Sequence, residues 1–232
     1  MRRLTALATA LVLAIGIGPA SAQSGKAGVF DYYTLVMSWS PTFCEGRTST
    51  ADGPQCSGAR PYAFVLHGLW PQYEKGYPES CRIGKKPWVP GPVIDGMLDI
   101  MPSPKLVIHE YKKHGTCSGL DPNGYFAMAR KLYSSITVPP AFVAPLAEIT
   151  TSAAEIEAAF LKANPALTPE MISVACGKRD RVREVRICFT REGTLRSCGR
   201  NEAQERLCRA SKITMPPVRG KGQVSTGSST EL

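Results

Sequence analysis

Eight cysteines place the strongest constraint on how this 232-residue chain can fold, because they can cross-link segments that lie far apart in the sequence. Their number is even, and all of them follow an N-terminal segment with the pattern of an export signal. In an oxidising compartment, disulfide bonds are the default state of cysteines. A zinc cluster is the alternative, but the chain has no CxxC pair and its closest cysteines are ten positions apart. We therefore expect a disulfide-stabilised fold, and the spacing alone leaves the pairing open.

Residues 1–22 have the organisation of a signal peptide. Two arginines follow Met1, residues 4–17 are almost entirely apolar, and Ala20-Ser21-Ala22 supplies small residues for cleavage. A membrane anchor is the alternative, but the run is shorter than the ~20 apolar residues that a membrane span needs. We expect cleavage after residue 22, no membrane anchor, and a periplasmic or secreted protein.

The charge of the chain favours an anionic partner. Lys and Arg total 28 against 19 for Asp and Glu, which gives a formal net charge of +9. Nucleic acid, a polysaccharide and a membrane surface all fit such an excess, and the charge does not choose among them. The hydrophobic fraction of 43% is enough for a buried core and excludes a chain that is disordered by composition.

Strand and helix patterns are mixed along residues 23–215, which predicts one α+β domain. Short apolar runs bounded by Pro or Gly predict strands at 30–38, 62–66, 171–176 and 183–190. Helical spacing of apolar residues predicts helices at 104–116, 122–136 and 152–163. Ser152 and Glu155 form a capping-box pattern at the start of the last helix. Residues 216–232 are rich in Gly, Ser and Thr, and we expect a disordered tail.

Two of the three histidines of the chain share the predicted helix at 104–116. At roughly 100° per residue, two imidazoles, a carboxylate and an ammonium occupy less than half of its circumference, from His109, Glu110, Lys113 and His114. A solvated polar face is the ordinary explanation of such a pattern. Because most of the histidines lie on it, the pattern also fits a catalytic site.

The third histidine, His67, follows the strand-like run 62–66, where we expect the strand to end and the chain to turn toward solvent. A zinc protease would need HExxH, but His109 and His114 are five positions apart rather than four. A serine hydrolase of the GxSxG type is not indicated, since the sequence lacks that motif.

Acid–base cleavage of a phosphodiester suits these residue types better. One imidazole can accept a proton from the attacking hydroxyl while another protonates the leaving oxygen, and a lysine can stabilise the charged phosphorane. Histidine suits both roles because its reference pKa, near ~6.5, allows either form around neutrality. No metal is required if the nucleophile is the substrate's own ribose 2′-hydroxyl.

Three segments of the sequence resemble the ribonuclease T2 family, and they occur in the family's order. They are residues 38–44 (SWSPTFC), 64–72 (FVLHGLWPQ) and 109–117 (HEYKKHGTC). The two longer segments resemble the family's active-site segments, and the first resembles its N-terminal strand. The resemblance implies an α+β fold with a central antiparallel β-sheet, helices packed on that sheet, and endoribonuclease activity.

The resemblance also implies roles for single residues. His114 would take the proton of the 2′-hydroxyl, and His67 would protonate the departing 5′-oxygen. Glu110 and Lys113 would polarise the phosphate and stabilise its transition-state charge, while His109 would help to bind it. The product would be a 2′,3′-cyclic phosphate, which the same residues would open to a 3′-phosphate.

Two further residues are candidates for contact with a base. Trp70 is either a core aromatic or a platform on which a base stacks, and in the family it lies at a base site. Some relatives carry aspartate where this chain has Gln72, so this chain departs there from the pattern on which an adenine preference rests. We expect low base specificity on single-stranded RNA.

The resemblance implies a disulfide pattern and a set of partners. The pairs are Cys81–Cys117, Cys176–Cys208 enclosing Cys188–Cys198, and, from the cysteines that remain, Cys44–Cys56. We expect RNA as the substrate, no cofactor, no metal and a monomer. A basic domain that binds an anionic polymer without catalysis is the second hypothesis, and a metalloenzyme is the third.

Overall fold

The structure is a computed structural model that describes residues 22–45, 47, 55–56 and 60–218. The predicted signal peptide, except Ala22, lies outside the described residues. The strands are β1 (Ala22–Lys26), β2 (Tyr32–Trp39), β3 (Phe64–Gln72), β4 (Tyr77–Arg82), β5 (Ile149–Thr151), β6 (Ile172–Cys176), β7 (Val182–Phe189) and β8 (Ile213–Met215). The α-helices are α1 (Ser40–Cys44), α2 (Gly91–Asp95), α3 (Pro104–Glu110), α4 (Thr116–Ser118), α5 (Pro122–Ser134), α6 (Ala153–Ala163) and α7 (Gln204–Leu207).

A four-stranded antiparallel sheet in the order β3-β2-β7-β6 forms the centre of the molecule. Helix α5 packs against β2 and β3, and α6 packs against β6. Every residue of β2 is buried, and β3 and β7 flank it in the sheet. The expected α+β fold with a central antiparallel sheet and packed helices is confirmed. Among the described residues, no helix is both long and apolar enough to cross a bilayer.

The two faces of this sheet differ in chemistry. On one face, fully buried apolar side chains build the core, among them Leu35, Met37 and Val185. Side chains alternate between faces along a strand, so the neighbouring positions point the other way. That other face carries polar groups such as Ser38 and Glu184, which are direct partners across β2 and β7. The polar face is where a site can be built.

The sequence suggested that the strand ends at His67, but β3 continues past this residue to Gln72. The partner of Val36 on β2 is Gly68, whereas the partner of Met37 is Leu66. His67 is therefore the extra residue of a β-bulge, a device that re-aims side chains and is common beside active sites. The expectation of a strand end and a turn was wrong, because pairing with β2 carries the strand past the histidine.

The helix predicted at 104–116 forms, but it is not a regular α-helix throughout. It begins after Ser103, whose side chain accepts a hydrogen bond from the Leu106 amide at 3.2 Å. Helix α3 then passes into a π-helical turn over Tyr111–Gly115 and continues into α4. π-helical turns are rare in proteins, and those that occur often lie at functional sites. The capping box predicted for Ser152 and Glu155 is present at the start of α6.

Four disulfide bonds stabilise the domain, and among the described residues no cysteine is free. They are the pairs that the family resemblance implies: Cys44–Cys56, Cys81–Cys117, Cys176–Cys208 and Cys188–Cys198. The second bond joins β4 to α4 just beyond the π-helical turn. Closing a loop of such length is worth on the order of 3 kcal/mol in the chain-entropy account.

The packed chain extends beyond the predicted start of the tail at residue 216. The Trp39 indole donates a hydrogen bond to the Pro216 carbonyl at 3.1 Å, and the Val218 amide donates one to Pro145 at 2.8 Å. Val218 is also buried. Residues 216–218 therefore belong to the packed domain. The sequence did not indicate this, because the prediction rested on the Gly- and Ser-rich composition of the residues that follow them. The rest of the predicted tail, 219–232, lies outside the described residues.

Candidate active site

Every site residue predicted from the sequence lines one cavity of about 650 Å³ on the polar face of the sheet. These residues are His67, Trp70, Gln72, His109, Glu110, Lys113 and His114. Strand β3 supplies the first three, and α3 with the π-helical turn supplies the others. The cavity therefore joins the two segments that the sequence singled out.

The β-bulge explains how His67 shares a face with Trp70 and Gln72. In a regular strand, residues an odd number of positions apart point to opposite faces. The extra residue at the bulge changes this parity, so all three side chains reach the same cavity. Gly68 lies under Glu110, and a Cβ at this position would stand 2.0 Å from Glu110 Oε2. Only glycine fits there without displacing the carboxylate.

Both ring nitrogens of His67 face carboxylates. Nδ1 lies 3.0 Å from Glu184 Oε1, where its N–H donates to the carboxylate, and Nε2 lies 3.7 Å from Glu110 Oε1. The side chain is 31% exposed and thus open to the cavity. Burial lowers the pKa of His67, but the hydrogen bond to Glu184 and the charges of Glu110 and Glu184 outweigh it. The pKa is raised above its ordinary value.

Glu184 is a buried carboxylate held by cations. Its Oε2 lies 3.0 Å from the Arg186 guanidinium and 3.5 Å from that of Arg183. Burial raises the pKa of Glu184, yet the hydrogen bond from His67 and the charges of Arg186, His67 and Arg183 together lower it to about 2. Glu184 is therefore ionised near neutrality and keeps a fixed negative charge beside the imidazole.

His114 has the opposite environment. Its ring is only 5% exposed, stacks on Trp70 with a centroid distance of 4.9 Å, and leaves Nδ1 with no hydrogen-bond partner among the described residues. Burial, followed by the charges of Lys113, His67 and His109, brings the pKa of His114 well below its ordinary value. The environment of His114 thus favours the uncharged imidazole, whereas the carboxylates beside His67 favour its protonated form. Paired groups whose pKa values are pushed apart are suited to opposite roles in acid–base catalysis.

Glu110 belongs to the helical histidine segment and contacts the strand segment through Trp70. It is 1% exposed and accepts a hydrogen bond from the Trp70 indole at 2.8 Å. Burial raises its pKa to about 7, against the lowering effects of His67, Trp70 and Lys113. Near neutrality this carboxyl group can therefore donate or accept a hydrogen bond.

Lys113 and His109 lie nearer to solvent than Glu110. The Lys113 ammonium lies 3.5 Å from the Glu79 carboxylate of β4, and both side chains are partly exposed. His109 is exposed at the rim of the cavity, and its partial burial together with the charge of Lys113 lowers its pKa. Both are placed to meet an anion that enters from solvent.

Trp70 and Gln72 have more internal contacts than an open base platform would have. The Trp70 ring packs edge-on to His67 at 5.1 Å, and the Arg186 guanidinium lies 5.2 Å from its centroid. Gln72 is 3% exposed, and its side-chain carbonyl accepts a hydrogen bond from Asn201 at 2.9 Å. Their assignment to a base remains a prediction.

Sequence reasoning missed five residues that line the cavity: Tyr77, Arg183, Glu184, Arg186 and Asn201. The stretch that contains Glu184 and Arg186 was compatible with a solvated strand surface, but the structure places both on the covered polar face of β7. The available signal was a pair of opposite charges two positions apart, Glu184 and Arg186, which places both on one face of a strand that also carries Arg183. For Tyr77 and Asn201 the sequence offered none. Among the described residues, no group of three or more His, Cys, Asp or Glu side chains is placed to hold a metal ion.

The chain is thus a disulfide-bonded α+β domain in which two histidines with oppositely shifted pKa values line one cavity. Comparison with known sequences specifies the family. The sequence profile of the ribonuclease T2 family matches residues 30–198. The chain belongs to the ribonuclease T2 family.

Individual relatives agree with this assignment. Over 123 residues the chain is 42% identical to a ribonuclease of Aeromonas hydrophila, a match that covers 53% of this chain and 54% of that protein. Over 129 residues it is 34% identical to a probable ribonuclease of Haemophilus influenzae, covering 50% and 47% respectively. These matches span about half the length of the relatives. The fold is similar to that of an RNase-related protein from Calystegia sepium, with a TM-score of 0.64 and 21% identity over 82% of this chain and 98% of that one.

Proposed function

We propose that the protein is an exported endoribonuclease that cleaves single-stranded RNA by metal-independent acid–base catalysis. The observation that carries the proposal is the pair His67 and His114, which line one cavity in environments that shift their pKa values in opposite directions. Membership of the ribonuclease T2 family supports RNA as the substrate.

In the first step, neutral His114 accepts the proton of the ribose 2′-hydroxyl, and that oxygen attacks the adjacent phosphorus. Protonated His67 gives its proton to the 5′-oxygen, and the P–O5′ bond breaks. The products are a 2′,3′-cyclic phosphate and a free 5′-hydroxyl. Each proton transfer is typically worth about 10²–10⁴ in rate. In a slower second step, water opens the cyclic phosphate to a 3′-phosphate, with the two imidazoles in exchanged roles.

The remaining side chains act on the phosphate. Lys113 and His109, at the exposed rim, attract it and balance its charge. Glu110, with a pKa of about 7, donates a hydrogen bond to a phosphoryl oxygen when it is protonated. Glu184 acts through His67: its fixed charge stabilises the imidazolium, and its hydrogen bond sets the ring orientation.

Base specificity is proposed to be low. The Gln72 carbonyl already accepts a hydrogen bond from Asn201, so this candidate for contact with a base is partly engaged by the protein itself. A base that stacks on an aromatic ring gains affinity without sequence selection. We infer a periplasmic or secreted location from the leader pattern and the four disulfides, which suit an oxidising compartment.

The direct test is digestion of a mixed-sequence RNA with EDTA present, followed by identification of the end groups. The proposal requires 2′,3′-cyclic phosphate ends early and 3′-phosphate ends later, while DNA of the same sequence stays intact. RNA that survives with chelator, or DNA that is cut equally well, would contradict the 2′-hydroxyl mechanism. If the domain only binds an anionic polymer, His67→Ala and His114→Ala would leave its affinity and function unchanged.

A further inference from the structure

A second cavity adjoins the active site on the side of His67. It has a volume of about 570 Å³, and its lining includes Phe43, Lys178, Arg179, Arg183, Glu184 and His67. We call it the basic groove. It shares His67, Arg183 and Glu184 with the active-site cavity, so the two spaces are neighbours around one imidazole.

The position of the basic groove indicates which side of the cleaved linkage of an RNA strand it would contact. His67 lines both the groove and the active-site cavity. His114, the other imidazole of the proposed pair, lines the active-site cavity and not the groove. In the proposed reaction His67 protonates the 5′-oxygen of the leaving nucleoside. The groove therefore begins where the strand continues in the 3′ direction.

Uncompensated positive charge lies at the rim of the groove. Lys178 and Arg179 are exposed and form no ion pair with another described residue. Arg181, two positions further along, is instead paired with both Glu45 and Glu148. Of these three cations, the two that line the groove are thus the ones left available for an anion.

The acidic groups of the groove do not cancel this charge. Glu45 pairs with Arg181 at 3.4 Å, and Glu184 is engaged by His67 and by Arg186. Each carboxylate already has its own cation. Arg183 also lies 3.5 Å from the Glu184 carboxylate, so Lys178 and Arg179 are the lining cations without an acidic partner among the described residues, and their charge favours an anionic ligand.

The turn that presents these cations has an unusual backbone. Arg179 has φ 57° and ψ 31°, and Asp180 has φ 53°, so two consecutive non-glycine residues are left-handed. Such conformations are uncommon and persist where the surroundings fix them, often beside ligands. Here the Gly177 amide donates to the Arg181 carbonyl at 2.8 Å, which closes the turn. The basic side chains are thus presented by a defined turn.

We propose that the basic groove binds the phosphate that follows the leaving nucleoside, so that RNA is recognised across at least two successive phosphates. The proposal deepens the function proposed above and rests on it. It predicts that the enzyme favours a substrate with a phosphate on the 3′ side of the cleaved linkage.

Three short substrates test this in the presence of EDTA. NpdN contains one cleavable linkage, because only its first nucleotide has a 2′-hydroxyl. NpdNp adds a 3′-terminal phosphate, and pNpdN adds the same charge at the 5′ end. We expect kcat/KM for NpdNp to exceed that for NpdN by about tenfold, the gain typical of one charge-assisted contact. The gain for pNpdN should be smaller, and the advantage of NpdNp should shrink as salt is raised.

A variant identifies the residues responsible. Lys178→Ala combined with Arg179→Gly removes both cations, and glycine adopts the left-handed conformation of residue 179 without a steric penalty. Lys131→Ala with Lys162→Ala is the matched control, since these exposed lysines lie on α5 and α6 and line neither cavity. The ratio of the two kcat/KM values is the readout, because effects common to both substrates cancel. The ratio should fall toward one in the groove variant and stay at the wild-type value in the control.

The outcomes separate the two proposals. Wild-type enzyme that cleaves NpdN and NpdNp equally well overturns the groove proposal and leaves the proposed function standing. The same conclusion follows if the groove variant keeps the wild-type ratio. If neither substrate is cleaved, the proposed function itself fails, and the groove proposal fails with it.

Discussion

The buried carboxylate of Glu184 lies 3.0 Å from Nδ1 of His67 and leaves Nε2 as the ring nitrogen directed toward Glu110. Two strands that are not neighbours in the sheet supply these residues, β7 and β3, with β2 between them. The contact fixes the orientation of the imidazole and favours its protonated form. An acid that must give up a proton at a defined point gains from both effects.

Replacing Glu184 by Gln tests this relationship. Gln keeps a hydrogen-bond acceptor but removes the charge that raises the pKa of His67. In the proposed mechanism the acid form of His67 is the active one, so activity is lost as pH rises through that pKa. We expect the descending limb of the pH profile of kcat/KM to move to lower pH. The maximal kcat/KM should fall by about tenfold, less than the 10²–10⁴ in rate that a general acid typically contributes. Exposed Glu205→Gln is the control, and an unmoved descending limb in the Glu184 variant would show that the contact does not tune His67.

The acid and base roles of the two histidines can be separated with an activated substrate. His67→Ala and His114→Ala should each lower kcat/KM on a dinucleotide by about 10²–10⁴. An aryl ester of a nucleoside 3′-phosphate has a leaving group that needs little protonation. We expect it to rescue most of the activity of His67→Ala and little of that of His114→Ala. Equal rescue of both variants would contradict the assignment of roles.

Gly68→Ala should damage the site more than the fold. A Cβ there would lie 2.0 Å from Glu110 Oε2 and 2.5 Å from Trp70 Nε1, so both side chains must move. We expect kcat/KM to fall at least about tenfold, and the free energy of unfolding to fall by about 1–3 kcal/mol, as is usual for overpacking. Gly91→Ala is the matched control because no atom lies within 4 Å of the added Cβ. Thermal unfolding and kinetics of both variants check the difference, and wild-type kinetics in Gly68→Ala would refute it.

Glu110→Gln should stabilise the protein in a pH-dependent way. Burial raises the pKa of Glu110 from 4.5 to about 7. A group with a raised pKa contributes stability that is present below its unfolded pKa and is lost as pH rises through the folded value. At pH 8 we therefore expect the free energy of unfolding of Glu110→Gln to exceed that of wild type by on the order of 1–3 kcal/mol, with a higher unfolding temperature. At pH 4 the two proteins should differ little. Unfolding curves at the two pH values check this, and a variant that is equally stabilised at both would point to a cause other than ionisation.

Local patterns were sufficient to predict much of the site. The spacing on the helix and the run before His67 identified both segments, because each is contiguous in sequence and rich in unusual residue types. The capping box at Ser152 was predicted for the same reason, since its two partners are three residues apart. The structure adds the fact that both segments line one cavity.

What the sequence did not reveal depends on contacts between distant segments. The bulge at His67 exists only relative to the pairing of β3 with β2, and an isolated strand pattern carries no trace of it. Glu184 and Arg186 became part of the site because β7 pairs with the other side of β2. Pro216 is packed because Trp39, far earlier in the chain, donates a hydrogen bond to it.

The β-bulge and the π-helical turn have a shared consequence for redesign of this scaffold. A one-residue deletion near residue 67, or within 111–115, would restore ideal backbone geometry at each place. It would also rotate one imidazole of the proposed catalytic pair out of alignment with its partner. Redesign methods that favour regular secondary structure would therefore select, step by step, for a protein that lacks this activity.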